Sequence, residues 1–218
     1  MKSPVSLLIA GGTGTGKSTL GAVLAHALGI QHVLGTDLLR EVIRQHIPRV
    51  QDRFLHESSF KAWKLLEEDS PQLGHDECVR TGYVLHRREV VPGIRAVLER
   101  AHRECFPVVI EGIHVSPSCR PAGMNNLVYV CFSPMSDHEQ MKRVSSRASV
   151  QPQRGHKGVS RDFRREMHLI AEVIYGEFRQ FKYRHKLEID PAQSVLMNVE
   201  LIVKKFKSIW GGLVETKS

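Results

Sequence analysis

One short stretch constrains the fold more than any other, because an apolar run, a glycine-rich loop and a helical pattern follow one another directly. The apolar run Val5–Ala10 is typical of a central parallel strand that is buried on both faces. The loop is Gly11-x-x-x-x-Gly16-Lys17-Ser18, the spacing that cradles nucleotide phosphates. Apolar residues then recur at helical intervals up to Gly29, a helix stop. A chance glycine turn would not need this context of strand, loop and helix, so we predict that the chain binds a triphosphate.

The residue types of this loop suit each task of phosphate binding. Glycines let the backbone turn sharply and approach phosphate, and amide groups at the start of the helix donate to anionic oxygens. Lys17 adds positive charge at the β- and γ-phosphates, where it would act in catalysis, and Ser18 offers its hydroxyl to Mg²⁺. The predicted ATP-binding residues are Gly12, Thr13, Gly14, Thr15, Gly16, Lys17, Ser18 and Thr19.

Strand patterns alternate with helical patterns along the remainder of the chain, which predicts a parallel α/β sheet between layers of helices. The length suits a single domain spanning residues 1–218, with a mainly helical substrate-binding region at about 38–104. Asp190-Pro191 has the pattern of a helix N-cap followed by proline at the first helical position. The predicted later strands are His32–Leu34, Pro107–Ile110, Leu127–Phe132 and Lys186–Ile189.

Composition narrows the classes of protein and partner. No apolar run is long enough to cross a bilayer and no signal peptide is evident, so we expect a cytoplasmic protein. The four cysteines form no C-x-x-C pair, which argues against a zinc site or a disulfide framework. The net charge of +8 favours anionic partners, either phosphorylated small molecules or nucleic acid.

An acid and two arginines follow the second predicted strand. Asp37, Arg40 and Arg44 share one helix face, and ligands of parallel sheets bind at the carboxyl ends of strands. Asp37 is predicted to orient or deprotonate a substrate hydroxyl, and the arginines to bind a substrate phosphate or carboxylate. The alternative is that Asp37 only caps its helix and the arginines are solvated.

A second acid, Glu111, ends the third predicted strand, a position that in phosphate-loop proteins serves Mg²⁺ or its water. Gly112 would let a ligand approach the backbone. His114 is a candidate substrate contact, although a lone histidine is more often structural or merely exposed.

Residues 133–160 are polar, basic and rich in Ser, Gly and Gln, which predicts a mobile loop. The overlapping residues 136–165 carry eight Lys or Arg and three Asp or Glu and are predicted to form a basic lid. Arg161, Arg164, Arg165 and His168 fall on one stripe of the following helix, opposite Phe163 and Met167. Arginines of a closing lid stabilise the charge of phosphoryl transfer, and Arg161 is the catalytic candidate. Solvated charge and nucleic-acid binding are the alternatives, and the absence of aromatic residues from 136–162 counts against the second.

Together, "IAGGTGTGKSTL", "GTDLLREVIR", "VVPGIRAVLERAHRE" and "VVIEGIHVSP" resemble the 2-phosphoglycerate kinase family, a group of small P-loop kinases similar to nucleoside-monophosphate kinases. The resemblance is clear over about the first half of the chain. It implies the P-loop NTPase fold, three layers around a parallel sheet, with Lys17 and Ser18 at ATP and magnesium. It also implies Asp37 and Arg40 at the acceptor, Glu111 near the metal, and transfer of a phosphoryl group from ATP to 2-phosphoglycerate to give 2,3-bisphosphoglycerate.

The sequence therefore predicts a Mg²⁺- and ATP-dependent small-molecule kinase with an anionic acceptor, 2-phosphoglycerate first. A kinase for an inositol phosphate, nucleotide or nucleotide sugar is one alternative. A nucleic-acid-stimulated ATPase is the other, although nucleic acid is not the expected partner.

Overall fold

The computed structural model describes residues 4–150 and 163–215, and its centre is a parallel β-sheet. Within these residues five strands pair in the order β2-β3-β1-β4-β5. Leu7 of β1 lies opposite Val109 of β3 on one side and Val128 of β4 on the other. The strands are β1 Ser6–Ala10, β2 His32–Gly35, β3 Val108–Glu111, β4 Leu127–Phe132 and β5 Lys186–Ile189. The predicted parallel sheet is confirmed, with strand ends shifted by one residue or not at all.

Helices connect the strands, and most lie in or near the predicted segments. The helix after β1 ends where Gly29 adopts a left-handed φ of 65°, which confirms that glycine as its stop. The helices are α1 Lys17–Leu28, α2 Thr36–His46, α3 Arg53–His56, α4 Trp63–Asp69, α5 His75–His86, α6 Val90–Arg103, α7 Asp137–Val150, α8 Arg164–Gln180 and α9 Val195–Glu215, with a 3₁₀ turn at Pro117–Cys119.

Two hydrophobic clusters, one on each face of the sheet, hold the layers together. One joins β1 to α1 and α9 through side chains such as Leu7, Leu24 and Phe206. The other joins the opposite face to α5, α6 and α8. Alternate residues of β1 enter opposite clusters because successive strand side chains point to opposite faces. The predicted three-layer arrangement is therefore confirmed, and the fully apolar character of β1 follows from burial on both sides.

Two local expectations were wrong. Residues 133–160 were expected to form a mobile loop, but 137–150 are helical and bury Gln140 and Val144 beneath their polar surface. Four-residue spacing of these inward positions outweighs a composition rich in serine and charge. The Asp190-Pro191 pair does not start the last helix, which begins at Val195. The Asp190 carboxylate instead accepts from the Ala192 amide at 2.8 Å, forming a local turn.

No helix in the described part of the chain combines the length and apolarity that a membrane crossing needs.

Candidate active site

The glycine loop between β1 and α1 has the backbone shape that its sequence predicts. Gly14 has a φ of 82° and Gly16, the residue before α1, a φ of 98°. L-residues with side chains rarely adopt this left-handed conformation, so glycine is required there. The first turn of α1 follows directly, and its amide groups have no partner within the helix. The loop and helix together thus form an anion-binding cradle.

The outer side of this loop is held by three other elements. A Cβ atom on Gly11 would lie 2.9 Å from the Phe132 Cβ, and one on Gly12 would lie 2.8 Å from the Ala171 Cβ. The Gln140 side-chain amide of α7 donates to the Thr13 carbonyl at 2.9 Å. Glycine is therefore needed at Gly11 and Gly12 for packing of the fold as well as for any ligand.

Polar side chains brace the loop from within. The Lys17 ammonium donates to the Gly12 carbonyl at 2.7 Å, and the Thr15 hydroxyl donates to the same oxygen at 2.9 Å. Lys17 is buried, whereas Ser18 and Thr19 are exposed in the first turn of α1. This arrangement holds the lysine at the phosphate cradle and presents the Ser18 hydroxyl beside it.

Two cavities meet at this loop and share Thr13 and Gly14. The first, of about 430 Å³, extends towards α9 and is called here the α9 cavity. Besides the loop, it is lined by Phe132, Arg143, Val144, Pro191, Gln193, Ser194, Val195 and Asn198. The second, of about 490 Å³, extends towards α2 and is called the α2 cavity. It is lined by Lys17, Ser18, Thr36, Asp37, Arg40, Glu41, Arg44, His56, Ser58, Ser59, Phe60, Glu111, Gly112 and Ile113.

The start of α2 forms one wall of the α2 cavity. Asp37 lies in the first helical turn with 73% of its side chain exposed. The residue at the N-cap is Gly35, so the alternative that Asp37 caps this helix is wrong. An exposed carboxylate beside the phosphate loop is available to a ligand.

The two arginines of α2 are held differently. Arg40 donates to the Leu55 carbonyl at 3.0 Å and to the Glu57 carbonyl at 2.9 Å, which ties α2 to the C-terminal end of α3. Burial lowers the pKa of Arg40 from its ordinary value. Arg44 is more exposed and contacts Glu41 through its Nε at 2.8 Å. Both arginines line the cavity, where Arg40 supports the wall and Arg44 pairs with Glu41.

Glu111 and Gly112 form the floor of the α2 cavity at the end of β3. Glu111 pairs in the sheet with Ile9 of β1 and with Gly35 of β2, which places its side chain next to the phosphate loop. No cluster of three or more His, Cys, Asp or Glu side chains that could bind a metal was found in residues 4–150 and 163–215. A metal here would thus depend on Ser18, Glu111 and ligand oxygens, a donor set that suits Mg²⁺, which commonly keeps several waters.

His114 is fully buried, so the direct substrate contact predicted for it is not what the structure shows. Its Nδ1 lies 2.9 Å from the Thr36 hydroxyl and 3.6 Å from the Asp37 carboxylate. Its Nε2 lies 3.2 Å from the Nε2 of His86. Burial is the main cause that holds the pKa of His114 well below its ordinary value, and His86, Arg40, Arg87 and Lys17 lower it further. The His114 imidazole is thus linked to the α2 cavity by Thr36 and Asp37, which line it.

This chain is similar in sequence to curated proteins. The 2-phosphoglycerate kinase of Methanopyrus kandleri is 35% identical over 143 residues, 65% of this chain and 42% of that protein. That of Pyrococcus horikoshii is 43% identical over 54% of this chain and 38% of its own. Sequence similarity relates this chain to 2-phosphoglycerate kinases. The chain spans less than half the length of these relatives. No family model matches the chain.

Solved structures agree on the fold. A gluconokinase from Sinorhizobium meliloti 1021 covers 100% of both chains with a TM-score of 0.51 and 16% identity. A shikimate kinase from Acinetobacter baumannii covers 95% of both chains with a TM-score of 0.51 and 15% identity. The fold is the P-loop α/β fold that the sequence predicted.

The fold brings most of the predicted site residues together. Lys17, Ser18, Asp37 and Glu111 all line the α2 cavity, although they come from three separate segments of the chain. Arg40 and Arg44 line the same cavity. The catalytic candidate Arg161 lies outside the described residues. The assignment of each of these residues to a ligand remains a prediction.

The basic stripe of α8 is partly neutralised by acidic partners. Arg165 contacts Asp76 of α5 at 2.8 Å, and His168 lies between Asp137 and Glu172 at 3.3 and 3.2 Å. Met167 faces the core on the opposite side, as predicted. The stripe thus joins neighbouring helices as well as contributing positive charge.

Sequence patterns missed several cavity residues. Ser58 and Ser59 come from the short segment between α3 and α4, which contains no glycine and no recognised motif. Arg143 and Asn198 line the α9 cavity from helices whose bounds were misjudged. The correct phase of α7 would have placed Arg143 one turn after Glu139, within 3.6 Å of it.

Proposed function

We propose that this protein is a Mg²⁺- and ATP-dependent kinase that phosphorylates a small anionic hydroxy-metabolite, with 2-phosphoglycerate as the first candidate and 2,3-bisphosphoglycerate as its product. The observation that carries the proposal is the meeting of two cavities at one phosphate cradle. A triphosphate on the loop would place its nucleoside in one cavity and its terminal phosphate at the mouth of the other. The relatives named 2-phosphoglycerate kinase support the choice of acceptor.

The more apolar surroundings of the α9 cavity suit a nucleoside. Phe132, Val144, Pro191 and Val195 provide apolar surface next to the polar Asn198. Ligand sites of this kind combine apolar walls with a few polar groups that fix orientation. The α2 cavity instead carries acids, arginines and hydroxyls, which suit a small charged acceptor.

In the proposed reaction, the acceptor hydroxyl oxygen forms a bond to the γ-phosphorus as the bond from that phosphorus to the β–γ bridging oxygen breaks. Asp37 accepts the hydroxyl proton, and ADP leaves. Lys17 and the loop amides stabilise negative charge on the phosphoryl oxygens. Arg44 binds the anionic end of the acceptor with its terminal guanidinium nitrogens, while Arg40 keeps the cavity wall in place. Lid arginines, Arg161 among them, would stabilise the same charge.

Mg²⁺ fits the residues present. The exposed Ser18 hydroxyl and the Glu111 carboxylate line one cavity beside the cradle. When bound there, the ion would neutralise charge on the β- and γ-phosphate oxygens. Ser18 would bind it directly, and Glu111 would hold it or its water.

2-Phosphoglycerate matches the cavity by charge, since it carries a phosphate, a carboxylate and one free hydroxyl. Arg44 and the Ser58 and Ser59 hydroxyls are the candidate ligands for its anionic groups, and Asp37 for the free hydroxyl. Other phosphorylated alcohols, such as an inositol phosphate, share this chemistry.

The deciding experiment incubates the protein with Mg-ATP and separate phosphorylated hydroxy acids, sugar phosphates and inositol phosphates, and identifies the products by ³¹P NMR. We expect a new bisphosphate with 2-phosphoglycerate. Lys17→Ala and Asp37→Asn should each abolish it. Near-wild-type product from Asp37→Asn would contradict the acceptor role of Asp37. ATP hydrolysis stimulated by polynucleotide, without any phosphorylated small product, would overturn the kinase proposal as a whole.

A further inference from the structure

Two buried histidines behind the α2 cavity form one hydrogen-bonded chain. His86 of α5 and His114, three residues after β3, face each other through their Nε2 atoms at 3.2 Å. Both side chains are fully buried. The chain ends at two hydroxyls that line the α2 cavity, since Ser59 lies 2.9 Å from His86 and Thr36 lies 2.9 Å from His114.

A backbone carbonyl sets the protonation of the first ring. The Nδ1 of His86 lies 2.9 Å from the Phe54 carbonyl oxygen, which only accepts hydrogen bonds, so this nitrogen carries the proton. Burial, aided by Arg40, lowers the pKa of His86 to about 4, while the Phe54 contact and Asp52 act in the opposite direction. The ring is therefore neutral at pH 7, and its Nε2 presents a lone pair.

The tautomer of His86 determines the tautomer of His114. Two unprotonated nitrogens would repel each other at 3.2 Å, so the Nε2 of His114 must carry its proton and donate to His86. The Ser59 hydroxyl can only donate to the same Nε2 atom of His86 and shares that acceptor. His114 is also neutral at pH 7, because burial and the nearby cations all disfavour its charged form. Its Nδ1 is therefore the unprotonated one.

The Nδ1 lone pair of His114 accepts the Thr36 hydroxyl proton and has no proton to donate to Asp37. In the described part of the chain, His114 is the one residue with a nitrogen within ion-pair distance of the Asp37 carboxylate, at 3.6 Å. The distance alone would suggest a hydrogen-bonded His–Asp pair. Because the Phe54 carbonyl fixes the tautomers of both histidines, the His114 Nδ1 and the Asp37 carboxylate are instead two acceptors that face each other.

We propose that His86 and His114 are positioning residues that hold the Thr36 hydroxyl proton away from the α2 cavity and keep the Asp37 carboxylate unbonded for the acceptor hydroxyl. This inference rests on the proposed function, in which Asp37 takes the proton that leaves as the oxygen–phosphorus bond forms. The two histidines contact neither reactant and move no proton to or from either reactant themselves.

The first test reads the tautomers directly. Protein labelled with ¹⁵N-histidine is studied by long-range ¹H–¹⁵N NMR at pH 7, with His86→Gln and His114→Gln used to assign the signals. We expect neutral rings with the proton on Nδ1 in His86 and on Nε2 in His114. A protonated Nδ1 in His114, or a charged ring in either residue, would overturn the inference.

The second test asks whether the chain matters for turnover. His86→Phe removes the acceptor that fixes His114, so His114 should change to the Nδ1-protonated tautomer and pair with Asp37. We expect kcat to fall at least tenfold while the KM values for ATP and acceptor stay within threefold. His86→Gln keeps a side-chain oxygen as acceptor and should restore kcat to within threefold of wild type. Unchanged kcat in His86→Phe would contradict the proposed role.

Thr36→Val covers the case in which His86→Phe does not fold. It removes the hydroxyl at nearly constant volume, so the Nδ1 of the neutral His114 ring loses its donor. The ring proton can then move from Nε2 to Nδ1, where it faces Asp37. A loss of kcat that Thr36→Ser reverses supports the inference, and wild-type kcat in Thr36→Val overturns it. Absence of any product from the wild-type protein would refute the kinase proposal, whereas the NMR tautomers decide the histidine assignment either way.

Discussion

Gly112 and Thr36 approach each other so closely that a Cβ atom on the glycine would lie 1.7 Å from the Thr36 hydroxyl oxygen. Gly112 also has a φ of 155°, which L-residues with side chains rarely adopt. The contact joins the end of β3 to the start of α2, and thus fixes the distance between Glu111 and Asp37. The glycine that was predicted to let a ligand approach the backbone lines the α2 cavity and also serves a contact within the protein.

Replacing Gly112 by alanine should therefore damage both the fold and the site. We expect a loss of about 2–4 kcal/mol in the free energy of unfolding, from the steric clash and the strained backbone. Urea unfolding measures it, and Gly74→Ala is the matched control, because nothing lies within 4 Å of a Cβ there. Equal stability of the two variants would contradict the close contact.

Lys17→Ala should abolish phosphoryl transfer. Loss of a preorganised positive group at the phosphates costs about 10²–10³-fold in turnover in comparable sites. The thermal shift that Mg-ATP produces in the wild-type protein should shrink as well, because the ligand stabilises the fold in proportion to its affinity. Lys207→Ala, an exposed lysine of α9, should behave as wild type. Full activity in Lys17→Ala would contradict the proposal that the cradle binds the phosphates of ATP during transfer.

Substitution of the two arginines of α2 should have different effects, one on the stability of the fold and the other on acceptor binding. Arg40→Ala leaves the Leu55 and Glu57 carbonyls without their donor and should cost about 1–3 kcal/mol in the free energy of unfolding. Arg44→Ala should change stability by less than about 0.5 kcal/mol and raise the acceptor KM at least tenfold. Steady-state kinetics and urea unfolding on both variants test this division, which fails if Arg44→Ala leaves the KM unchanged.

Gln140→Ala should loosen the phosphate loop from outside. The lost hydrogen bond to the Thr13 carbonyl is worth about 1 kcal/mol, so the KM for ATP should rise about fivefold. Gln180→Ala, at the exposed end of α8, serves as the control. An unchanged KM for ATP would show that α7 does not support the loop.

His86 should make the fold less stable in mild acid. Its pKa is lowered from 6.5 to about 4 in the folded state, so between these pH values the unfolded chain binds more protons. Stability from this group is fully present above about pH 6.5 and is lost as the pH falls towards 4. His86→Phe should thus lose about 2 kcal/mol less than wild type between pH 7 and pH 5, measured by urea unfolding. An identical pH dependence would contradict the burial of a neutral ring.

Local patterns were enough to predict the sheet and the phosphate cradle. β1 is apolar at every position because both of its faces are covered, and the glycine spacing is set by the loop's own backbone. The carboxyl ends of parallel strands share one edge, so Asp37 and Glu111 could be placed at the same site. Structure was harder to predict where the composition favours a loop and the spacing of apolar residues favours a helix. For that reason α7 was predicted to be a loop.

By itself, the sequence determined the order of the strands along the chain, the cradle and the acids beside it, because each depends on neighbours a few positions away. The tertiary structure decided which polar groups meet. Thr36 and His114 are 78 positions apart and His86 and Ser59 are 27 apart, yet all four join one hydrogen-bonded chain. The structure also shows that Arg40, a predicted ligand, braces the cavity wall, because its nitrogens donate to the Leu55 and Glu57 carbonyls. Hydrogen-bond partners are set by proximity in space, and a pattern along the chain does not record it.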